Sequence, residues 1–201
     1  MNSCFEGEFK VTSPYGWRTL NGKRDNHKGI DLVGISSPTV FAPCDGVIGA
    51  STIVTSKSNK TWEWGNYVRL DTDSGGYSIF MCHLAKRYVK KGQKVKKGDR
   101  LGVMGCTGHC VPAGAKGTHT HFEVRKKGTS VTVDPAIFIG IPNKVGTYSS
   151  KLRSIEEEIE GYVSLLAGIG IITEPEKWKK KAAKDMDIYW LLRKVAGRFR
   201  N

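Results

Sequence analysis

The sequence has no hydrophobic run that approaches the roughly 20 apolar residues that a membrane-spanning helix needs. Its amino terminus, Met1 to Lys10, lacks a basic stretch followed by an apolar block and a small-residue cleavage site, so we recognise no secretory signal. No solenoid-type repeat is evident either. The length of 201 residues predicts one full domain with a small second module. From the missing signal and the missing apolar run we expect a chain that is made in the cytoplasm and is not inserted in a membrane.

Cysteine is scarce, and its number is odd. Disulfide frameworks use an even number of cysteines at regular spacings. The five residues here are irregularly spaced, which indicates reduced thiols and agrees with the missing signal. They are Cys4, Cys44, Cys82, Cys106 and Cys110.

Acidic residues are few compared with basic ones. The chain has 19 Asp and Glu against 32 Lys and Arg, a formal net charge of +13. Such a charge attracts polyanions, and nucleic acid, anionic lipid and anionic cell-wall polymers all qualify. Charge alone does not choose among them, because a basic surface also serves solubility. With the motifs described below, we do not expect a nucleic-acid partner.

Short β segments bounded by turn residues fill the first three quarters of the chain. Glycine is abundant, at 24 residues, as expected where tight turns and bulges are frequent. This pattern predicts a mainly β, antiparallel domain over residues 1–145. The predicted strand segments are 47–52, 66–70, 77–84, 118–125 and 130–133.

The pattern becomes helical near the carboxyl end. Residues 144–150 have the composition of a linker, and Ser154 with Glu157 forms a capping box. The following apolar spacing predicts a helix that begins near Ile155 and stops at Gly168.

A second capping signal, Thr173 with Glu176, predicts another helix. One or two more helices are expected beyond it, with inward-facing residues drawn from Trp178, Met186, Tyr189, Trp190, Leu192 and Val195. Residues 151–201 should therefore form a small α-helical C-terminal module. We expect this module to bind the cell wall or to form a homo-oligomer.

Histidines occur in two motifs that attract attention as metal sites. On a strand, His119 and His121 share a face with Glu123, while Phe122 points to the other face. An isolated pair of this kind is better explained as two solvated histidines, and Glu123 as a solvated charge.

His27 and Asp31 also lie on one side of the backbone, although alone they fit an ordinary loop ion pair. The joint occurrence favours a zinc site, since catalytic zinc commonly takes three His, Asp or Glu ligands and one water.

Four segments of the chain are distinctive when they are taken together. They are HKGID at 27–31, MCHLAKRYVKKGQKVKKGDRLGVMGCTG at 81–108, GTHTHFEV at 117–124 and VDPAIF at 133–138. These segments resemble the LytM or lysostaphin-type metallopeptidases, the M23 family. The resemblance covers roughly residues 11–141 and implies an antiparallel β-sheet peptidase domain. It also implies that Zn2+ is bound by His27, Asp31 and His121. By the same resemblance His83 and His119 are catalytic: His119 accepts a proton and His83 helps to stabilise the oxyanion.

This resemblance implies a zinc metalloendopeptidase that hydrolyses a stem or cross-bridge peptide bond in bacterial peptidoglycan. Without a signal, the chain would be a phage or prophage endolysin that reaches the cell wall after release. One alternative is a non-enzymatic LytM-like module that binds the wall or activates another hydrolase. Another is a carrier-type β domain, indicated by GQKVKKGDRLGVMG at 92–105, although no convincing modifiable-lysine turn accompanies it.

Two other interpretations concern cysteines. Cys106, His109 and Cys110 offer soft ligands, but they are too few for a closed tetrahedral zinc site. Cys82 adjoins His83 as in a thiol protease, yet neighbouring strand residues point to opposite faces. We therefore expect the Cys82 thiol to face the core as a small apolar group.

Overall fold

The computed structural model describes residues 3–20, 22–59, 62–73, 76–150, 155–185, 188, 191–192 and 195–196. The chain divides into two compact units, Met1–Lys151 and Leu152–Asn201. Within the described ranges, none of the helices combines the length and the apolar character needed to cross a bilayer.

The first unit consists mainly of short strands, which confirms the expected mainly β fold. One short helix, α1, spans Pro135–Ile139, and its first turn is capped by the Asp134 side chain. Its strands in chain order are β1 Gly7–Ser13, β2 Gly16–Leu20, β3 Lys23–His27, β4 Ile30–Gly34, β5 Thr39–Phe41, β6 Gly46–Ile53, β7 Asn66–Thr72, β8 Tyr77–Cys82, β9 Lys86–Arg87, β10 Lys94–Val95, β11 Arg100–Val103, β12 Thr120–Lys126, β13 Thr132–Val133 and β14 Gly146–Ser150.

These strands form one large sheet and two small ones. The large sheet has the order β10-β6-β7-β8-β12-β4-β1-β14, with β13 pairing to β12. The small sheets are β5-β11-β9 and the hairpin β2-β3. Strand pairs throughout the described sheets are antiparallel, as short turns between strands allow.

Alternation along β4 and β12 separates the core from the polar face of the large sheet. Ile30 and Leu32 are buried in β4, and Phe122 and Val124 are buried in β12. Successive strand residues point to opposite faces, so Asp31 is turned away from that core. Packing of the core therefore determines which side chains of β4 and β12 point to the polar face of the sheet.

Residues 144–150 are not a linker, contrary to the sequence-based expectation. Gly146–Ser150 forms β14 and pairs with β1 from Gly7↔Ser150 to Val11↔Gly146. The Tyr148 ring lies 6.1 Å from the Phe9 ring. Threonine and tyrosine favour strands, and the free edge of β1 provides a partner that local sequence does not reveal.

The second unit contains the predicted first helix. Helix α2 spans Ile155–Gly168, which confirms the predicted start and stop. Its buried residues pack into a separate small core with later positions of the unit. Ser154, Met186, Tyr189 and Trp190 lie outside the described residues.

The second predicted helix exists, but it does not begin at the predicted cap. Helix α3 spans Pro175–Ala182 and follows Glu174, whose side chain makes no capping hydrogen bond. Proline has no N–H and a φ already suited to a first helical turn, so Pro175 rather than Thr173 sets the start.

The pairing of β14 with β1 leads to a stability prediction. A chain that ends at residue 145 loses the five-residue ladder with β1 and the Tyr148 ring, whereas a chain that ends at residue 150 keeps both. We expect the shorter chain to melt at least about 5 °C below the longer one, since ~1 kcal/mol shifts Tm by roughly 2–8 °C in domains of this size. Calorimetry of both chains measures this difference, and equal melting temperatures would contradict it.

Candidate active site

Antiparallel pairing places the predicted metal ligands side by side. His27 ends β3, and Asp31 and His121 are direct partners across the β4–β12 ladder. Directly paired residues project from the same face with Cβ atoms about 5 Å apart. The structure therefore brings His121 next to His27 and Asp31, although Asp31 and His121 are 90 residues apart in the chain.

Three ligand atoms form a nearly equilateral triangle. His27 Nε2 lies 3.0 Å from His121 Nδ1 and 3.2 Å from Asp31 Oδ1, and the last two atoms are 3.1 Å apart. Ligands at ~2.0–2.1 Å from a tetrahedral zinc would be about 3.3 Å apart, only slightly more than these distances. Within the described residues, these three form the group of His, Cys, Asp and Glu side chains close enough to bind one ion.

Hydrogen bonds behind the two imidazoles select the nitrogens that face the centre. His27 Nδ1 donates to the Pro14 carbonyl oxygen at 2.8 Å, which leaves Nε2 for the triangle. His121 Nε2 lies 3.2 Å from Glu123 Oε2 and donates to it, which leaves Nδ1. Outer acceptors of this kind commonly orient metal-binding histidines.

Glu123 is part of this site, contrary to its sequence-based interpretation as a solvated charge. Its exposed fraction is only 1%, and its carboxylate also accepts from Arg125. The Arg125 guanidinium lies 5.0 Å from the Trp64 ring centre and 4.7 Å from that of Phe80. Strand alternation places Glu123 on the same face as His121. Arg125, two residues further along that face, is the sequence signal that indicates a paired rather than a solvated carboxylate.

The centre of the triangle favours positive charge. Burial lowers the pKa of His121, but hydrogen bonds to Asp31 and Glu123 outweigh it and raise this pKa to about 9. Burial raises the pKa of Asp31, but hydrogen bonds from His121 and His27 bring it well below its usual range. A donor set of two imidazoles and one ionised carboxylate, backed by a second carboxylate, fits a divalent zinc ion.

Arg18 orients the carboxylate of Asp31 from the other side. The guanidinium donates to Asp25 Oδ2 at 2.8 Å and to the Ser13 hydroxyl, and Nη1 lies 3.5 Å from Asp31 Oδ2. Oδ2 of Asp31 is thus turned to a cation while Oδ1 faces the histidines. Because Arg18 lies in a different strand, β2, the spacing of the histidine motifs gave no sign of this role.

The two predicted catalytic histidines lie beside the triangle. The rings of His83 and His119 are 4.7 Å apart between centres, and His119 Nε2 lies 3.6 Å from Asp31 Oδ1. Each ring donates from Nδ1 to a backbone carbonyl oxygen, His83 to Thr107 at 2.9 Å and His119 to Gly117 at 2.6 Å. In the neutral rings Nε2 is therefore the hydrogen-bond acceptor.

His83 has an unusual backbone. Its φ of +62° is positive, which is uncommon for a residue other than glycine and costs about 1 kcal/mol or more. Its N–H donates to the Trp64 carbonyl oxygen at 2.8 Å, and its own carbonyl accepts from Thr107 N at 3.3 Å. Burial, together with the nearby His119 and His121, lowers the pKa of His83 to about 3, so the ring is neutral.

Both catalytic candidates and the ligand triangle line one groove of about 860 Å³. Its walls come from the β2–β3 hairpin, from the 3-10 turn Trp62–Trp64 and from the loop that follows Gly105. A polypeptide strand in this groove would pass directly beside the histidines.

The cysteines play other parts. Cys82 is fully buried, and burial raises its pKa well above the usual value. The expectation that its thiol faces the core is wrong, because Cys82 pairs directly with His121 and so lies on the same face of the sheet as the site. The positive φ of His83 interrupts the strand alternation on which that expectation rested. His109 lies with its ring 5.4 Å from that of Trp62. In the described part of the chain Cys106, His109 and Cys110 do not form a metal-capable group.

Close packing of Gly29 against His121 gives a testable prediction. A Cβ at position 29 would lie 2.6 Å from the Phe122 carbonyl oxygen and 2.8 Å from the His121 ring, closer than real contacts allow. Gly29→Ala should therefore displace the ring and weaken zinc binding by about 10-fold or more. Competition with a chelating dye measures the affinity. Gly168→Ala, where a Cβ meets nothing within 4 Å, is the control and should bind as the wild type does.

The buried carboxylate behind His121 gives a second prediction. Glu123→Gln keeps the shape but removes the charge that His121 Nε2 and Arg125 contact, so zinc affinity should fall by about 10- to 100-fold. The rise in melting temperature on adding zinc reports the affinity. Glu6→Gln, at an exposed acid, should leave that rise unchanged. An unaltered rise in Glu123→Gln would show that this carboxylate does not support a ligand.

Comparison with known proteins identifies the family and the relatives of this chain. The sequence profile described as Peptidase family M23 matches residues 25–135, more than half of the chain. The peptidoglycan DD-endopeptidase ShyA of Vibrio cholerae is 30% identical over 169 residues, which cover 81% of this chain and 36% of ShyA. The murein hydrolase activator NlpD of Escherichia coli is 29% identical over 113 residues, which cover 56% of this chain and 26% of NlpD.

Among solved structures, the antimicrobial peptidase lysostaphin from Staphylococcus simulans superimposes with a TM-score of 0.53. It is 26% identical, and the match covers 66% of this chain and 49% of lysostaphin. The chain spans only about a third or less of the length of the curated relatives named above. The profile match extends from the β3 residue Asp25 to the start of α1 and so includes every candidate ligand and catalytic histidine. The chain therefore belongs to peptidase family M23.

Proposed function

We propose that this chain is a zinc metalloendopeptidase that hydrolyses a peptide bond in bacterial peptidoglycan. The observation that carries the proposal is the triangle of His27 Nε2, Asp31 Oδ1 and His121 Nδ1, which opens on a groove beside two further histidines. Zinc held by these three atoms would polarise the scissile carbonyl and lower the pKa of a bound water towards 7.

His119 is the proton acceptor in this proposal. Its Nδ1 proton is held by the Gly117 carbonyl oxygen, and its Nε2 lies 3.6 Å from Asp31 Oδ1, next to the ligand triangle. An imidazole nitrogen in that position can take the proton of an attacking water and pass it to the leaving amine.

His83 acts differently from the simplest version of the family-based role. Because its Nδ1 proton is directed to the Thr107 carbonyl oxygen, the neutral ring offers only an acceptor at Nε2. Stabilising an oxyanion needs a donor, so this role requires that His83 first take up a proton during turnover. Burial works against such protonation in the free protein.

The substrate proposal rests on the relatives and on charge. ShyA is named a peptidoglycan DD-endopeptidase. A formal charge of +13 would draw the chain towards an anionic wall. Action as a phage or prophage lysin, cytoplasmic synthesis, and wall binding or oligomerisation by residues 151–201 stay predictions from the sequence.

Similarity to NlpD supports a second candidate function. NlpD is named a murein hydrolase activator, so a chain of this family can be proposed to act through another hydrolase. Such a module needs neither a bound metal nor positioned proton acceptors. The five-residue arrangement of ligands and histidines favours the enzyme.

Single histidine substitutions distinguish a zinc ligand from a proton acceptor and from a histidine that has neither role. We expect His121→Ala to lose stoichiometric zinc, because it removes a corner of the triangle. His119→Ala should keep zinc but lose about 10²- to 10⁴-fold in turnover, because it removes only a proton acceptor. Zinc is measured by elemental analysis after dialysis, and turnover by mass analysis of peptides released from purified peptidoglycan.

His109→Ala is the matched control, since its ring contacts Trp62 outside the ligand triangle. It should keep zinc and, because His109 lines the groove, affect turnover through substrate binding alone, with kcat retained within a few-fold. Loss of zinc in His119→Ala would overturn the ligand assignment. A wild-type chain without turnover that still stimulates a separate wall hydrolase would favour the activator.

A further inference from the structure

One segment carries most of the excess positive charge. Residues 86–100 contain eight Lys and Arg and a single Asp, a formal charge of +7 against +13 for the whole chain. The segment includes strands β9 and β10 and leads into β11. Positive charge is therefore concentrated in one stretch of the first unit.

Most lysines of this segment are exposed, and several of the exposed ones lack acidic partners. Lys90, Lys91 and Lys94 are exposed and form no ion pair with any described residue. Asp45 pairs with Lys96 Nζ at 2.8 Å, and the Asp99 carboxylate accepts from the Lys96 backbone at 2.8 Å. The nearby acids thus leave much of the charge uncompensated.

Protection of sheet edges explains only part of this charge. Strand β10 is at one end of the large sheet and β9 is at one end of a small sheet, and lysines on such edges discourage pairing with other chains. Lys90 and Lys91, however, lie between the two strands, where no ladder needs protection.

The segment is connected directly to the active site. Lys86 in β9 follows His83 by three positions and pairs with Val103 of β11. Two residues beyond Val103, Gly105 bridges to His119. A polymer on this surface would therefore be held by the same unit in which peptide cleavage is proposed.

The chemistry of the segment fits a flexible phosphate polymer without bases. Lysine ammonium groups are compact charges that bind phosphates without strict geometry. Tyr88 is the segment's aromatic residue, and the Lys86 ammonium lies 5.4 Å from the centre of its ring. Binding of single-stranded nucleic acid relies on a series of aromatic stacking platforms, whereas Tyr88 is the single aromatic residue of this segment.

We propose that Lys86, Lys90, Lys91 and Lys94, here called the lysine surface, bind a polyol-phosphate polymer attached to peptidoglycan. This inference rests on the proposed function, because it takes the wall as the substrate. Binding would proceed by displacement of counterions from the phosphates and would weaken as salt rises.

The test replaces Lys90, Lys91 and Lys94 together by Gln in the full chain. Affinity for purified polyol-phosphate polymer and for intact walls should fall at least 10-fold. The slope of log K against log salt should become less steep by about two, because each lost phosphate contact contributes ~0.7 to the slope. The wild type should also bind acid-stripped walls at least 10-fold more weakly than intact ones. Cosedimentation and fluorescence anisotropy measure these values.

The control triple variant replaces Lys126, Lys127 and Lys144, which are exposed elsewhere in the first unit, and should bind as the wild type does. Equal affinity of both variants would overturn the proposal, as would equally tight binding of duplex DNA or anionic vesicles. Zinc content and turnover of a soluble peptide, measured in parallel, should be unchanged. Polymer binding without turnover would count against the enzyme alone, and turnover without polymer binding against the lysine surface alone.

Discussion

The register between β4 and β12 is the constraint on which the site depends. His121 and Asp31 are direct partners in this ladder, and the buried Ile30, Leu32 and Phe122 occupy the alternate positions. A slip of one residue would turn every side chain of a strand to the opposite face and expose these apolar groups. The hydrophobic core thus holds the polar residues of both strands in place.

A second layer of groups decides what the polar residues can do. Each of the four site imidazoles has an oxygen acceptor behind one nitrogen, supplied by a backbone carbonyl or by Glu123. In His27 and His121 the other ring nitrogen is thereby turned towards Asp31 Oδ1. Arg18 and Arg125 compensate the two buried carboxylates from outside, which allows both to stay ionised beside the imidazoles.

Strand periodicity was sufficient to predict the antiparallel fold and the shared face of the H-x-H pair. It gave the wrong face for the Cys82 thiol, because the positive φ of His83 interrupts the alternation at the end of β8. It also could not predict burial that depends on neighbours from other strands, such as the burial of Glu123 beside Arg125, which packs against two aromatic rings. Nor could it predict β14, whose partner β1 is some 140 residues away in the chain. Local pattern determines which way a side chain points, whereas long-range pairing determines what it meets there.

Thr107 couples the groove wall to the chemistry. Its carbonyl accepts from His83, while its hydroxyl donates to the Leu84 carbonyl oxygen at 3.0 Å and accepts from Asn66 N at 2.9 Å. These hydrogen bonds thus fix the position of the loop after Gly105 relative to the imidazole of His83. Replacing this loop by that of another family member, in order to alter which bond is cut, would therefore change the rate constant for cleavage as well as the selectivity. The rate constant would be kept only if Thr107 and its three partners were transferred together.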